Sequence, residues 1–451
     1  MRAFTHLEQL ALIYQFLTRY RAVARFPSLD QATIQAYQFR QMKRQLEIAY
    51  HHTPFYHQKY TAAGIHPSDI QSWEDFKRLP TISKDDLIAH GLSLVDRRRR
   101  PEQLIPSQSS GSSGKFVTVY LDRQSFMTQE LQVIRMLKEF YPAYRPSDRE
   151  LLIYTSEYPI RSLGGFYKVH YINNLRTPAY IFAALRQLRP AIVAVYPSIL
   201  RELVAMYHAE CQALGLKVIV TNSEHASQEE RDHFAAVFGC PVFDEYSSEE
   251  LASIAHQCIH RHYHLVQDCS YIELLQPTSD LAVAPGEAGE LVGTCLINRA
   301  MPIIRYRQGD MAVISREACR CGKRAPFFAE LSGRKNSSFK RRGAPDIPSG
   351  RILDWSYHLV LKLGLDIREF QIVQMSLNTV KLSIVAGPDY DDARDGALMA
   401  RDFRLTFGQN FAVEVEHVAR ITKTGAGKHI PIRSLVEAHT PNDHPYQHHM
   451  A

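Results

Sequence analysis

Apolar residues recur at helical spacing near the amino terminus: Leu7, Leu10, Tyr14 and Leu17 share one face, and Ile34, Tyr37, Met42 and Leu46 continue the pattern. Such a period buries one stripe of a helix, so residues 7–51 are predicted helical up to a break at Pro54. A shorter helical piece follows Ser72 and stops at Pro80, where the ring removes a donor. From about residue 100 the pattern changes. Short apolar runs at 151–154, 192–196, 218–221 and 241–243 alternate with helical stretches near 125–140, 181–188, 199–214 and 227–238. Strands spaced by helices predict βαβ units and a largely parallel sheet. Strand-like segments at 271–275 and 290–296 then flank a turn at Pro285-Gly286. The basic stretch 333–350, rich in Gly, Ser and Pro, reads as a linker or hinge.

The fold class expected is therefore α/β. A large, multi-layer N-terminal domain with sheets flanked by helices spans 1–333, comprising a helical opening (1–100) and an α/β body (101–333). A small α+β C-terminal lid follows at 334–436, and 437–451 is a flexible tail.

Composition narrows the function. Across 451 residues, 53 Lys and Arg against 47 Asp and Glu leave a net charge of +6, too mild to argue for nucleic acid. No window reaches the roughly 18 apolar residues of a spanning helix, and the apolar stretch at 10–17 lacks a cleavage signal. A cytoplasmic protein is expected. Seven cysteines, an odd number in a large chain, do not form a disulfide framework.

Five segments carry candidate chemistry. Ser109-Ser110-Gly111-Ser112-Ser113-Gly114-Lys115 packs hydroxyls, glycines and one cation. Glycine lets backbone N–H groups converge on an anion while the lysine neutralises it. Taken alone, the segment reads as a Ser/Gly loop before it reads as a phosphate site. Phe243-Asp244-Glu245-Tyr246-Ser247-Ser248-Glu249-Glu250 and Arg305-Tyr306-Arg307-Gln308-Gly309-Asp310 each follow a short strand; then come Gly333-Arg334 and Thr424-Gly425-Ala426-Gly427-Lys428. This ordered set resembles the adenylate-forming superfamily of acyl-CoA ligases, adenylation domains and luciferases, in particular its phenylacetate–CoA ligase-like branch. Pro54-Phe55-Tyr56, Leu79-Pro80 with Lys84, and Pro197-Ser198 with Leu200 extend the resemblance over nearly the whole chain.

The resemblance implies roles. Ser109 to Lys115 would hold the β- and γ-phosphates of ATP, Tyr246 would stack on adenine, and Glu250 would help coordinate Mg²⁺. Asp310 would accept hydrogen bonds from the ribose hydroxyls, and Arg334 would contact ribose or phosphate. Lys428 would reach in from the small domain to bridge the carboxylate and the α-phosphate. The chemistry agrees. A carboxylate attacking an anionic phosphorus needs cations more than a base. The chain departs from the family at Ser247, where Gly is usual, at Glu249, where Thr is usual, and at Ser337, where the hinge commonly has Asp.

Cys319-Arg320-Cys321-Gly322 is a tight thiol pair, and upstream Cys258 is followed by His260, His262 and His264. Structural zinc takes four N or S ligands, though a merely buried cysteine pair fits the same residues. Members of the branch that carry a similar Cys…His…Cys-x-Cys set imply Cys258, His264, Cys319 and Cys321 as the zinc ligands, with His260 as the alternative imidazole and His262 also open.

The function implied is an ATP-dependent, AMP-forming acid–thiol ligase. It would activate a small aromatic or apolar carboxylic acid as an acyl-adenylate and pass the acyl group to CoA. The alternatives are transfer to an amine or carrier protein, AMP left on the substrate, or a non-catalytic nucleotide-binding protein. Tyr154 and Gly164-Gly165-Phe166 fall where such enzymes place the acyl pocket. The run Arg97 to Arg100 reads as a solvated basic loop. Lys335, Lys340, Arg341 and Arg342 offer a contact for the CoA 3′-phosphate, and a homodimer stays open.

Overall fold

The computed structural model describes residues 6–108, 117–154, 158–163, 165–174, 176–334, 338–342, 346–347, 349–361, 363–421 and 431–436. Helices α1 (His6–Arg25), α2 (Gln31–His52), α3 (Pro54–Ala62), α4 (Trp73–Phe76) and α5 (Lys84–His90) open the chain. The helix expected over 7–51 is interrupted at Phe26-Pro27-Ser28. There the chain tightens into a 3₁₀ turn, and Asp30 caps α2 by accepting from the Thr33 amide at 2.9 Å. Pro54 starts α3 instead of ending the helical region, because proline in a first turn forfeits no helical hydrogen bond.

Strands β1 (Ile105–Gln108) and β2 (Thr118–Leu121) pair with each other. After α6 (Arg123–Phe140) the main sheet begins with β3 (Arg149–Tyr154) and β4 (Lys168–Asn173). It continues through α7 (Pro178–Leu188), β5 (Ile192–Val195), α8 (Pro197–Tyr207), β6 (Val218–Asn222), α9 (Gln228–Phe238) and β7 (Val242–Ser248). Strands β8 (Ala252–Gln257), β9 (Tyr263–Leu265), β10 (Ser270–Leu275), β11 (Ala288–Cys295), β12 (Tyr306–Ile314) and β13 (Phe327–Arg334) complete it. The spatial order is β10-β11-β12-β13-β9-β8-β7-β6-β5-β3-β4.

Strands β3 to β7 are parallel, whereas every pairing beyond β7 is antiparallel. The largely parallel sheet expected from the sequence is thus only half of the structure. Residues 249–251 alone separate β7 from β8, far too few for a parallel crossover, so the chain must fold back on itself.

Helices α7, α8 and α9 cover one face of the parallel half, where Ile181, Leu203, Phe234 and Val195 are buried together. Helix α6 covers the other through Met136, Leu137, Leu152 and Val220. The antiparallel half packs on the helical opening through Met42, Leu46, Tyr56, Phe76 and Ile304. Arg305 is fully buried there. It forks onto Glu273 with two 3.1 Å bonds and donates to the carbonyls of Lys77, at 2.6 Å, and Leu79. Removing one side of such a pair costs about 3–5 kcal/mol, so Arg305 ties the start of β12 to the opening helices.

A second compact unit holds the described residues from 338 onward, and the first holds those up to 334. It comprises α10 (Ser349–Leu361), β14 (Ile367–Ser376), β15 (Thr379–Ala386), α11 (Asp392–Phe407), β16 (Ala412–His417) and β17 (Ile432–Ser434), with strand order β16-β15-β14-β17. Its own core includes Ile352, Trp355, Leu382, Met399 and Phe403.

Candidate functional site

Strand β7 joins the two halves of the sheet, and of the residues expected to hold a nucleotide, Tyr246 and Asp310 meet there. The Tyr246 hydroxyl donates to the carboxylate of Asp310 on β12. The Tyr246 ring meets Phe328 of β13 edge-on, with centroids 6.3 Å apart. Asp310 is buried and pairs across the ladder with Arg334, whose side chain lies outside the described residues. Gly309 has φ of +82°, and the β12–β13 register shifts immediately after Asp310. A bulge at a left-handed glycine re-aims the neighbouring side chain.

Glu250 sits in the short connection after β7. It is 5% exposed, and the Tyr306 hydroxyl donates to its Oε1 at 3.2 Å. Its neighbour Leu251 presses on Gly293 of β11, where a Cβ would lie 2.2 Å from the leucine Cδ1, so any larger residue would force Leu251 to move. Ser107 of β1 donates to Glu249, which fastens the segment entering the serine–glycine stretch to the acid beside Glu250. Ser109, Ser110, Gly111, Ser112, Ser113, Gly114 and Lys115 lie outside the described residues, as do Ser337 and Lys428. Of the arginine run, Arg98 grips the buried Asp96 with a 2.7 Å contact and Arg97 donates to the His51 carbonyl at 3.2 Å.

Cys258, His264, Cys319 and Cys321 present ligand atoms that all lie within 4.8 Å of one another. The Cys258 and Cys319 sulphurs are 3.7 Å apart, and Cys321 Sγ is 3.3 Å from His264 Nε2. His264 Nδ1 faces the Ala325 carbonyl at 2.9 Å, which turns Nε2 toward the thiols. Burial lowers the His264 pKa to about 4, keeping the ring in the neutral form that ligates. Burial and the neighbouring sulphurs push the Cys321 thiol up to about 12. A divalent cation bound there would favour the thiolate form. His262 stacks on Phe327 and sits 3.1 Å from Cys319 Sγ, while His260 touches the cluster only through its amide. Lys323 bonds Glu139 of α6, anchoring the cysteine loop to the sheet's flank.

A cavity of about 190 Å³ lies between α6 and the face of the parallel strands. Tyr154 lines it, but Gly165 and Phe166 do not: Phe166 is 61% exposed, and Gly164 is outside the described residues. Its wall carries the aromatic side chains that would suit an aromatic or apolar acid, and three acidic ones besides. Glu130, Glu150 and Glu245 all line it, and none of the three has a role assigned from the sequence, although Glu245 lies in the Phe243–Glu250 segment. Their one signal was Glu150 at the head of the otherwise apolar Leu151-Leu152-Ile153-Tyr154.

The family model for the CapK C-terminal domain matches residues 355–434. Over 332 residues the chain is 26% identical to the phenylacetate–coenzyme A ligase of Escherichia coli (strain K12), covering 70% of this chain and 74% of that protein. The phenylacetate–coenzyme A ligase of Aromatoleum evansii is 26% identical over 337 residues, covering 71% and 74%. Among solved structures, a 2-hydroxyisobutyryl-CoA ligase in the postadenylation state with R3-HIB-AMP superposes with a TM-score of 0.75. It is 20% identical and covers 92% of this chain and 91% of that one. Its likeness establishes the fold.

Proposed function

From its likeness to phenylacetate–CoA ligases, we propose that this chain belongs to that branch of the adenylate-forming superfamily, joins a carboxylic acid to ATP as an acyl-adenylate, releasing pyrophosphate, and then transfers the acyl group to coenzyme A. The observation that supports this most is the Tyr246–Asp310 hydrogen bond with Glu250 buried and oriented four residues beyond Tyr246. Adenine and ribose are adjacent parts of one ligand. An aromatic ring and a carboxylate that touch are therefore spaced to take both.

Each residue has a distinct task. Asp310 accepts from the ribose hydroxyls and fixes the nucleotide's register. Tyr306 holds the Glu250 carboxylate in one orientation, and a carboxylate suits a hard cation. Magnesium held by Glu250 and the phosphates would spread their charge so that a second anion can approach. Ser109 to Lys115 would cradle the β- and γ-phosphates and Arg334 would contact ribose or phosphate. Lys428 would neutralise the charge that grows between carboxylate and α-phosphate, an effect largest in the transition state.

Zinc at Cys258, His264, Cys319 and Cys321 would be structural. Four protein ligands leave no open position for water. The cluster joins the segment after Glu250 to the segment after Asp310, where β9 and β13 also pair. It would thereby steady both carboxylates.

The test is pyrophosphate release on incubating the protein with ATP, magnesium and panels of aromatic, aliphatic and amino acids. Acid-dependent release supports the reading, and no release with any panel overturns it. Offering amines and carrier proteins beside coenzyme A in the same assay identifies the acceptor.

A further inference from the structure

The cavity between α6 and the parallel strands carries a pattern of polar groups that a hydrocarbon would leave unused. Tyr154 and Asn222 end β3 and β6, and Glu245 of β7 lies level with Asn222, on the side at which parallel sheets bind ligands. Glu245 immediately precedes Tyr246, so the cavity begins beside the residue proposed to carry adenine. Glu150 lies four residues before Tyr154 on β3, about 13 Å deeper along the strand. Val133, Met136, Leu152 and Val220 form the apolar wall between them.

One buried acceptor is left unsatisfied. Asn222 is 8% exposed; its amide donates to the Tyr154 hydroxyl at 2.6 Å, while its Oδ1 has no partner. Glu150 is 7% exposed. An unpaired buried acceptor is costly, and a ligand that donates to it recovers that free energy. No lysine, arginine or histidine lines the cavity among the described residues. Instead Tyr144, Tyr158 and Tyr167 join Tyr154 around the three carboxyls. Tyrosine faces and carboxylates both attract a cation, and their combination encloses one well.

We propose that this cavity takes the distal end of an acyl substrate bearing a basic nitrogen, its ammonium or amidinium held within the space that Glu130, Glu150, Glu245 and the tyrosines line. The proposal rests on the adenylation reading and names the substrate class for it. Burial, and after it repulsion from neighbouring acids, raises Glu130 to about 8 and Glu150 and Glu245 to about 7. An incoming cation favours the ionised form, so a carboxyl releases its proton to solvent as the cation docks.

Matched acids of equal shape test this on the unaltered protein. Pyrophosphate release is measured for 4-(aminomethyl)benzoate against 4-ethylbenzoate, and for 5-aminopentanoate against hexanoate. The amine of at least one pair should be favoured about tenfold or more in kcat/KM, since a site built for a polar group rejects the analogue lacking it. Glu150→Gln and Glu245→Gln should each narrow that ratio, mainly through KM. Turnover of the hydrocarbon acids in preference to both amines would overturn the substrate class and leave adenylation standing. A ratio unchanged in both variants would also overturn it. Silence from every acid would overturn the adenylation reading, and this inference with it.

Discussion

The hydroxyl of Tyr246 on β7 donates a hydrogen bond to the carboxylate of Asp310 on β12, two residues that lie 64 positions apart in sequence. A strand from each half of the main sheet must be in place for this contact to form. It links the parallel half, which holds the cavity, to the antiparallel half, which holds the cysteine–histidine cluster.

If Asp310 accepts from ribose, Asp310→Asn should raise KM for ATP by roughly 10- to 100-fold, the worth of one or two charged hydrogen bonds. Tyr246→Phe keeps the ring and should cost less than Tyr246→Ala. ATP titrations in the pyrophosphate assay check the order. Equal KM values for all three variants and the parent would remove both residues from nucleotide binding.

Lys428→Ala should lower adenylation by about two orders of magnitude or more while ATP affinity changes little, because its cation acts chiefly on the transition state. Single-turnover rates beside equilibrium binding of ATP separate the two effects. Full adenylation by that variant would take Lys428 out of the mechanism.

The metal cluster predicts about one zinc per chain in protein purified without chelators. Cys319→Ser should lose that zinc and lower the melting temperature. Chelation of the parent protein should lower it similarly. Metal analysis finding none, or equal zinc in Cys319→Ser, would contradict the assignment.

The cavity carboxyls set a pH dependence. Glu130, Glu150 and Glu245 have folded pKa values of about 8, 7 and 7, each above the ordinary 4.5, so the native state holds protons that the unfolded chain releases. Their contribution to stability is full below about pH 4.5 and is lost as pH rises through 7 to 8. The surrounding Tyr154 and Tyr158 stay neutral in this window, because burial raises both well above 10. Glu150→Gln should therefore flatten the fall in melting temperature between pH 5 and 8. A slope identical to that of the parent would show that Glu150 does not titrate as its burial requires.

Local pattern revealed much of this molecule. The short apolar runs at 151–154, 192–196 and 218–221 overlap β3, β5 and β6, because a strand buried on both faces shows itself as continuous apolar sequence. The four residues named as a metal set lie together, since the Cys-x-Cys turn and the strand bearing His264 each keep their ligands on one side. The features missed depend on long-range contacts. Whether β8 pairs parallel or antiparallel was decided by the three-residue connection before it. The break at Phe26-Pro27-Ser28 was hidden because apolar periodicity resumes on its far side. Glu130, Glu150 and Glu245 come from a helix and two strands more than 90 positions apart at the extremes, and only folding brings them to one cavity.

The central claim is that the substrate's carboxylate oxygen attacks the α-phosphorus of ATP, and oxygen tracing tests it most directly. An accepted acid labelled with ¹⁸O in its carboxylate is turned over with ATP and coenzyme A, and the AMP is weighed by mass spectrometry. Attack through the carboxylate leaves one ¹⁸O in each AMP after acyl transfer, and that is the result expected. Unlabelled AMP, or ADP in its place, would contradict the account.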